Sequence, residues 1–310
     1  MKPANPPTKH HFIPAFYLRS WERDTTAKLT EYSNHHNRKI AVKEVTAEAT
    51  GYETRLYELK GYEPKLAQQV EETFFKQLDL WASQSLQMLK AQGHNAPWDG
   101  HSRSAWSRFI LSLLTRCPED IMMFREWWHE DFSKTDAVAE LRYQAVRKLG
   151  DPETFSEYLA SQPLAEKERH QFEVLYTLID HESVGLTLNR MHWRVLETAP
   201  HAPSLLTSDR PVIRTLLAEK HAHVVLPIGP RSIWIGARDA NFLEQTRLVD
   251  PVQLVKEINR QVVEGAKRYV WGADASHRRF VENRFGRNPQ PRVIENVVGR
   301  RRAARSAGML

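Results

Sequence analysis

Apolar residues recur every three or four positions through the middle of the chain. Between Glu63 and Gln92 they fall at Leu66, Val70, Phe74, Leu78 and Trp81, which is the period of one helix face. Gly93 follows as a stop signal. Similar stripes predict further helices after Gly100, Pro118, Thr135 and Asp151, and one over residues 164–179. The pattern therefore predicts a large helical layer over residues 63–183.

Strand patterns flank this helical region. Polar and apolar residues alternate over residues 29–45 around a polar centre, which predicts a β-hairpin with His35 and His36 at a solvated tip. Four later segments are short, rich in Val, Ile, Leu and Trp, and bounded by Pro, Gly or Asp, which predicts strands at 192–198, 204–207, 221–228 and 232–237. After Asp250 the helical period returns as far as residue 270.

Neither set of strands alone suffices to bury an apolar face against a core. We therefore predict an α+β fold in which the N-terminal hairpin and the late strands share one mixed or antiparallel sheet, with the helical layer inserted between them. Residues 1–290 are expected to form a single α+β domain, with 63–183 as a helical layer or subdomain. Residues 291–310 carry Arg300, Arg301, Arg302 and Arg305, and we expect a basic flexible tail that packs little.

Composition narrows the function classes. The chain has 310 residues and one cysteine, Cys117, so intrachain disulfides and all-cysteine zinc sites are excluded. Neither GxGxxG nor GxxxxGK[ST] occurs, which excludes the two common phosphate-binding loops. A net charge of +6 favours nucleic acid or another polyanion as partner. No apolar run approaches the roughly 20 residues of a membrane span, so we expect a cytoplasmic protein without a membrane partner.

Several stretches together resemble a known family, the bacterial domain of unknown function 4238. They are KHHFIPAFYLRSW, WSRFILSLLTRCP, MHWRVLETAPHAPSLLTSDRPVI with VVLPIGPRSIWIG, and EINRQVVEGAKRYVWG. The most specific pieces are similar to the family's HHxxPxxYLRxF opening, here with Trp21 in the last place, and its TSDxPV turn, here residues 207–212. The resemblance covers about residues 10–272. It implies no reaction, so function must be argued from the residues.

The two motifs supply the candidate catalytic groups. His10 and His11 precede a predicted helix start, where a histidine could act as acid or base, or could cap the helix. Asp209 follows an apolar run, a common place for a catalytic carboxylate. Ser208 is a candidate substrate contact, and the same turn could instead only end a strand.

Long side chains near these motifs are candidate substrate ligands. Arg19 on an apolar helix could pair with a carboxylate or clamp an anion, and Arg210 could neutralise developing charge. Tyr17 could stack on a base, although its helical spacing is typical of core residues. His129, His192, His221 and His223 lack diagnostic metal-ligand spacing, so the sequence identifies neither a metal site nor a cofactor.

Two functions remain open at this stage. The first is a hydrolase of a phosphate-containing substrate, of phosphodiesterase or nuclease type, that uses the motif histidines and Asp209 around one polar pocket. The second is a non-catalytic protein that binds nucleic acid or a protein partner, in which the motifs lock the sheet to the helices. It predicts that these residues are buried, bonded to backbone and remote from a cavity.

Overall fold

Short strands flank a helical middle region along the chain. The structure, a computed structural model, describes residues 8–34 and 39–307. Its strands are β1 (Lys9–His11), β2 (Leu29–Asn34), β3 (Ile40–Val45), β4 (Tyr52–Thr54), β5 (His192–Glu197), β6 (Thr207–Ser208), β7 (Ile213–Arg214), β8 (His223–Pro227), β9 (Ser232–Ala237) and β10 (Tyr269–Gly272). Its α-helices are α1 (Ala15–Leu18), α2 (Pro64–Ala67), α3 (Lys76–Gln92), α4 (Gly100–Leu113), α5 (Pro118–Asp131), α6 (Ala137–Val146), α7 (Phe155–Ser161), α8 (Leu164–Ile179), α9 (Glu182–Asn189), α10 (Ala240–Leu248), α11 (Pro251–Gly265), α12 (Arg278–Arg284) and α13 (Val293–Ser306).

The N-terminal hairpin shares a sheet with late strands, which confirms the α+β prediction. The order in this sheet is β3-β2-β10-β6, and every pair is antiparallel. Strand β10 lies in the centre, although the sequence pattern had suggested that the preceding helix continues to residue 270. The predicted tip residues His35 and His36 lie outside the described residues.

The other late strands form a second antiparallel sheet with the order β5-β9-β8-β7. Pro211, which lacks a backbone N–H, lies between β6 of the first sheet and β7 of the second. Alternate residues of β8 and β9 enter different apolar clusters: Val224, Leu226 and Trp234 face the helical layer, while Val225, Ile233 and Ile235 face α10 and α11. Period-two alternation thus buries both faces of this sheet.

Helix α11 covers the second cluster and ends near the functional region. Asp250 caps its first turn by accepting a hydrogen bond from the backbone N–H of Gln253, and Pro251 occupies the first helical position. Val255, Ile258 and Val262 bury one stripe of the helix. The segment that follows, residues 266–268, leads directly into β10.

The long helix predicted between Glu63 and Gln92 is interrupted. A π-helical segment, Val70–Phe75, separates α2 from α3. Its wider turn places two consecutive aromatic rings on different partners: Phe74 stacks on Tyr176 at a centroid distance of 4.1 Å, and Phe75 stacks on Tyr57 at 4.2 Å. Tertiary packing of these rings therefore overrides the regular 3.6-residue period.

The arginine-rich C-terminal segment packs more than the sequence suggested. Its described part contains α13, whose Ile294 and Val298 are buried in the main apolar cluster. Arg305 forms an ion pair with Asp131 on α5, at 2.6 Å. The expectation that this segment packs little is therefore corrected, because two apolar residues one turn apart anchor the helix. Arg300, Arg301 and Arg302 are exposed, as predicted.

Candidate functional site

His10 is a fully buried residue of β1, and its ring joins two separate segments. Its Nδ1 accepts a hydrogen bond from the backbone N–H of Tyr57 at 2.9 Å, and its Nε2 lies 2.5 Å from Oε1 of Gln68. Because a backbone N–H can only donate, Nδ1 carries no proton and Nε2–H donates to the Gln68 carbonyl oxygen. These contacts fix His10 as one neutral tautomer in the packed interior.

His11 points to the opposite side of β1 and is half-buried. Burial, together with the nearby positive charge of Arg116, lowers its pKa to about 4. Its backbone carbonyl lies 3.5 Å from the Tyr57 hydroxyl. The ring is therefore neutral near pH 7 and could accept a proton only weakly.

Tyr17 on α1 connects three elements through its hydroxyl. The hydroxyl donates to the carbonyl oxygen of Pro227 at 2.7 Å and lies 2.8 Å from Oγ1 of Thr207. Since its one proton goes to the carbonyl, it accepts the hydrogen bond from Thr207. This fully buried side chain ties α1 to β6 and β8, so the base-stacking role considered from sequence has no exposed ring to support it.

The Asp209 carboxylate receives three backbone hydrogen bonds from the segment that enters β10. Oδ1 accepts from the N–H of Lys267 at 2.9 Å, while Oδ2 accepts from those of Arg268 and Tyr269 at 2.6 and 3.3 Å. Its own carbonyl accepts from the Cys117 thiol at 2.9 Å. Burial raises the pKa of Asp209 to about 6, and the backbone donors from Lys267 and Arg268 oppose that shift.

Of the remaining predicted residues, Ser208 and Arg210 contact each other, and Arg19 pairs with a residue outside the predicted set. Ser208 Oγ accepts a hydrogen bond from the backbone N–H of Arg210 at 3.1 Å, the arrangement of a serine turn. Arg19 pairs with Glu48, and both side chains are about half exposed. No hydrogen bond to Asp209 comes from a histidine among the described residues. We name the buried motif residues His10, Tyr17, Thr207 and Asp209 the motif junction: Tyr17 contacts Thr207, and Asp209 contacts the last of the family-like stretches.

A cavity of about 1010 Å³ lies beside the motif junction. Three segments of its wall belong to the family-like stretches or lie next to them. They are Glu119 at the start of α5, Arg210 directly after Asp209, and residues 265–267, which begin at the last residue of α11. The other wall comes from the C-terminal segment between residues 282 and 296. Of the candidate residues predicted from sequence, Arg210 alone lines this cavity among the described residues. Its guanidinium is held 3.3 Å from the carboxylate of Asp120.

The charges in the cavity wall do not balance. Each of the three lining carboxylates, Glu119, Glu282 and Glu295, has an arginine partner: Arg268, Arg278 and Arg292 respectively. Lys267 and Arg287 also line the cavity, and neither forms an ion pair with any residue in 8–34 or 39–307. The unneutralised charge of the cavity wall is therefore positive.

Neutral hydrogen-bonding groups complete the wall. Asn34, Gln290 and Asn296 line the cavity, and their side-chain amides have no hydrogen bond within the described part of the chain. Each amide offers two donors and one acceptor oxygen. The cavity can thus hold a ligand that combines negative charge with a polar, uncharged part.

A second polar cluster lies in the core around Arg116. The Arg116 side chain is fully buried, and its Nη1 donates to Oδ1 of Asp79 at 3.0 Å. Its Nε and Nη2, and Oε2 of Glu71 on the π-helical segment, have no hydrogen-bond partner among the described residues. Burial raises the pKa of Glu71 to about 7, and the charge of Asp79 acts in the same direction.

Sequence reasoning missed most of the cavity. Lys267 stands within the family-like stretch EINRQVVEGAKRYVWG, but as one cation among many it carries no local signal. Arg287, Gln290 and Asn296 follow the family-like region and belong to no motif. Arg116 had a weak signal, since a basic residue between apolar helix positions is unusual.

The described residues contain neither a cluster of metal ligands nor a membrane-spanning helix. Within residues 8–34 and 39–307, no group of three or more His, Cys, Asp and Glu side chains could hold a metal ion. Over the same described ranges, the helices lack the combination of length and apolar character that a membrane-spanning segment needs.

Comparisons with known proteins identify the family but no individual relative. Neither the curated proteins nor the solved structures yielded a match to this chain. One family model, "Protein of unknown function (DUF4238)", matches residues 9–276, which is well over half of the chain. That range includes all the residues of the motif junction and two cations of the cavity, Arg210 and Lys267. The chain belongs to the DUF4238 family of proteins of unknown function.

Proposed function

We propose that this protein binds a phosphate-bearing ligand in the large cavity. The observation that carries the proposal is the pair of cavity cations, Lys267 and Arg287, that have no acidic partner among the described residues. Cations in a concave wall that have no acidic partner are available to an anionic ligand, and phosphate oxygens suit both side chains. Arg210 adds a third cation, positioned by its contact with Asp120.

The size of the cavity supports a small molecule as the ligand. Pockets for small molecules usually measure about 300 to 1000 Å³, and this cavity, at about 1010 Å³, lies at the upper end. A nucleotide or a short piece of single-stranded nucleic acid would fit this volume. The polyanionic partner predicted from net charge is therefore proposed to enter here. A cytoplasmic setting would suit the buried free thiol of Cys117.

Binding is favoured over hydrolysis by the contacts of the motif residues. A hydrolase of the predicted type needs an imidazole and the Asp209 carboxylate at the substrate. Here His10 bonds to Gln68 and backbone, and Asp209 bonds to three backbone N–H groups. These contacts suit the alternative in which the motifs lock the fold and the ligand binds elsewhere.

Isothermal titration calorimetry with pyrophosphate tests the proposal. The double variant Lys267→Ala, Arg287→Ala should bind pyrophosphate at least about tenfold more weakly than the wild type, because a charge-assisted hydrogen bond contributes roughly 1.5 to 3 kcal/mol. A matched control, Lys220→Ala with Arg301→Ala, removes two exposed cations that do not line the cavity and should bind normally. Equal affinity in both double variants, or no binding by the wild type, would refute the proposal.

The same samples can be assayed for catalysis. Orthophosphate release from pyrophosphate, and 4-nitrophenolate release from bis(4-nitrophenyl) phosphate, should stay at the rates measured without protein. Turnover that disappears in Asp209→Asn while the thermal midpoint is kept would establish the hydrolase instead.

A further inference from the structure

The C-terminal wall of the cavity differs from the family-side wall in both origin and chemistry. The family match ends at residue 276, whereas the wall formed by residues 282–296 lies wholly beyond it. The family-side wall contributes Arg210 and Lys267, which are cations. The C-terminal wall contributes Phe285, Gln290 and Asn296 in addition to Arg287. Both walls thus carry positive charge, whereas the C-terminal wall also carries an aromatic ring and two side-chain amides.

Backbone hydrogen bonds hold the C-terminal wall against the end of α11. The N–H of Gly286 donates to the carbonyl of Val263 at 3.0 Å, and that of Asn288 donates to the carbonyl of Glu264 at 3.0 Å. Gly286 has a φ of +66°, and a Cβ there would lie 3.1 Å from the Ala266 carbonyl oxygen. The wall is therefore a built element that sets Arg287 beside the turn that carries Lys267.

The far end of this wall is anchored independently. Ile294 is fully buried in the main apolar cluster, and the Arg292 guanidinium lies 3.5 Å from the Asp120 carboxylate. Asp120 is also the partner of Arg210, so one carboxylate holds a cation from each wall. Gln290 and Asn296 stand on either side of this anchor and face the same cavity. The backbone near both residues is therefore anchored, while their side-chain amides keep their hydrogen-bonding groups unused.

We infer that the wall formed by residues 282–296 recognises a nucleobase, so that the ligand is a nucleoside phosphate. The inference rests on the proposed function, since the phosphate is assigned to Lys267 and Arg287. A carboxamide that offers donors and an acceptor side by side matches the edge of a nucleobase, which does the same. The half-buried ring of Phe285 supplies a flat apolar surface of the kind on which bases stack. A simple polyphosphate would leave the amides and the ring unused.

Nucleoside monophosphates, ribose 5-phosphate and pyrophosphate distinguish the parts of the ligand. At least one of AMP, GMP, CMP and UMP should bind the wild type about tenfold more tightly than ribose 5-phosphate. The double variant Gln290→Ala, Asn296→Ala should lose that preference and keep its affinity for pyrophosphate. The control Asn288→Ala changes an exposed amide of the same segment that does not line the cavity, and it should behave as the wild type.

The outcomes separate the two claims. If pyrophosphate binds but no nucleotide is preferred over ribose 5-phosphate, the inference is wrong and the proposed function stands. The same holds if the Gln290, Asn296 variant keeps the nucleotide preference. If neither pyrophosphate nor any nucleotide binds, the proposed function fails and the inference fails with it. If Gln290→Ala, Asn296→Ala lowers nucleotide and pyrophosphate affinity equally, the amides have no base-specific role and the inference is again overturned.

Discussion

The motif junction and the large cavity use polar side chains in opposite ways. In the junction, His10, Tyr17 and Asp209 are buried, and their polar atoms are bonded to backbone or to other side chains. In the cavity, the side chains of Lys267 and Arg287 are exposed and form no hydrogen bond or ion pair within the described ranges. A buried group that is fully bonded stabilises the fold, whereas an unbonded group in a concave wall is available to a ligand. Under the proposed function, the most distinctive motifs therefore belong to the scaffold.

The largest effect is expected from Asp209→Ala. The substitution removes the acceptor of three backbone hydrogen bonds, and each stranded donor costs about 1 to 3 kcal/mol when buried. Partial hydration of the new space offsets some of this, so we expect a loss of about 3 kcal/mol in the free energy of unfolding, measured by urea denaturation. Asp24→Ala, at an exposed site, is the control. If the variant Asp209→Ala gave the same denaturation curve as the wild type, Asp209 would have no role in stabilising the fold.

Glu71→Gln should change how stability depends on pH. Burial raises the pKa of Glu71 from an ordinary value of 4.5 to about 7 in the folded protein. The folded state therefore binds this proton more tightly than the unfolded state, and the resulting stability is lost as the pH rises from about 4.5 to 7. Each pKa unit corresponds to about 1.4 kcal/mol, so we expect the variant to gain on the order of 3 kcal/mol relative to the wild type across that range.

Urea denaturation at several pH values measures this difference. The exposed neighbour Glu72→Gln serves as the control, because it lies on the same segment and makes only a surface ion pair with Lys76. A pH-independent difference between Glu71→Gln and the wild type would show that Glu71 is ionised alike in the folded and unfolded states.

Tyr17→Phe should have a smaller effect on the motif junction. The change removes one hydroxyl and leaves the Pro227 carbonyl and the Thr207 hydroxyl without that partner. We expect a loss of about 1 to 2 kcal/mol in the free energy of unfolding, with unchanged pyrophosphate affinity. Tyr52→Phe is a suitable control, since no hydrogen bond of its hydroxyl occurs among the described residues. Weaker ligand binding with normal stability would instead place Tyr17 at the ligand.

The smallest effect is expected from Arg19→Ala. Arg19 and its partner Glu48 are each more than half exposed, at 55% and 53%, and exposed ion pairs contribute roughly 0 to 1 kcal/mol. Both the denaturation midpoint and the pyrophosphate affinity should stay close to those of the wild type. A clear loss of affinity would restore the substrate role that the sequence suggested for this arginine.

Local patterns predicted much of the fold. Alternation over residues 29–45 located the hairpin, and the stripe over residues 164–179 matches α8 because both depend on neighbours in the chain. The π-helical segment and the packing of α13 were not predicted, because they depend on contacts of Phe74, Phe75 and Ile294 with residues distant in the chain. Strand β10 was missed because four residues after a helix carry too short an alternating pattern.

The candidate site was harder to predict than the fold. The sequence singled out the two motifs, but in the structure Asp209 contacts Cys117 and the segment 267–269, whereas His10 contacts Tyr57 and Gln68. Whether such polar groups face inward or toward a ligand depends on tertiary geometry, which a single sequence does not encode locally. The cavity draws Glu119, Arg210, Lys267 and Arg287 from separate segments, and no spacing rule connects them.

The central claim is that the motif junction stabilises the fold while the cavity binds the ligand. Measuring both the free energy of unfolding and pyrophosphate affinity for Asp209→Asn and for Lys267→Ala tests it most directly, with calorimetry done well below each thermal midpoint. We expect each variant to change only one of the two quantities. Asp209→Asn should be less stable but bind pyrophosphate normally, whereas Lys267→Ala should be as stable as the wild type but bind at least about threefold more weakly. If Asp209→Asn kept its stability and lost binding or turnover, the claim would be contradicted.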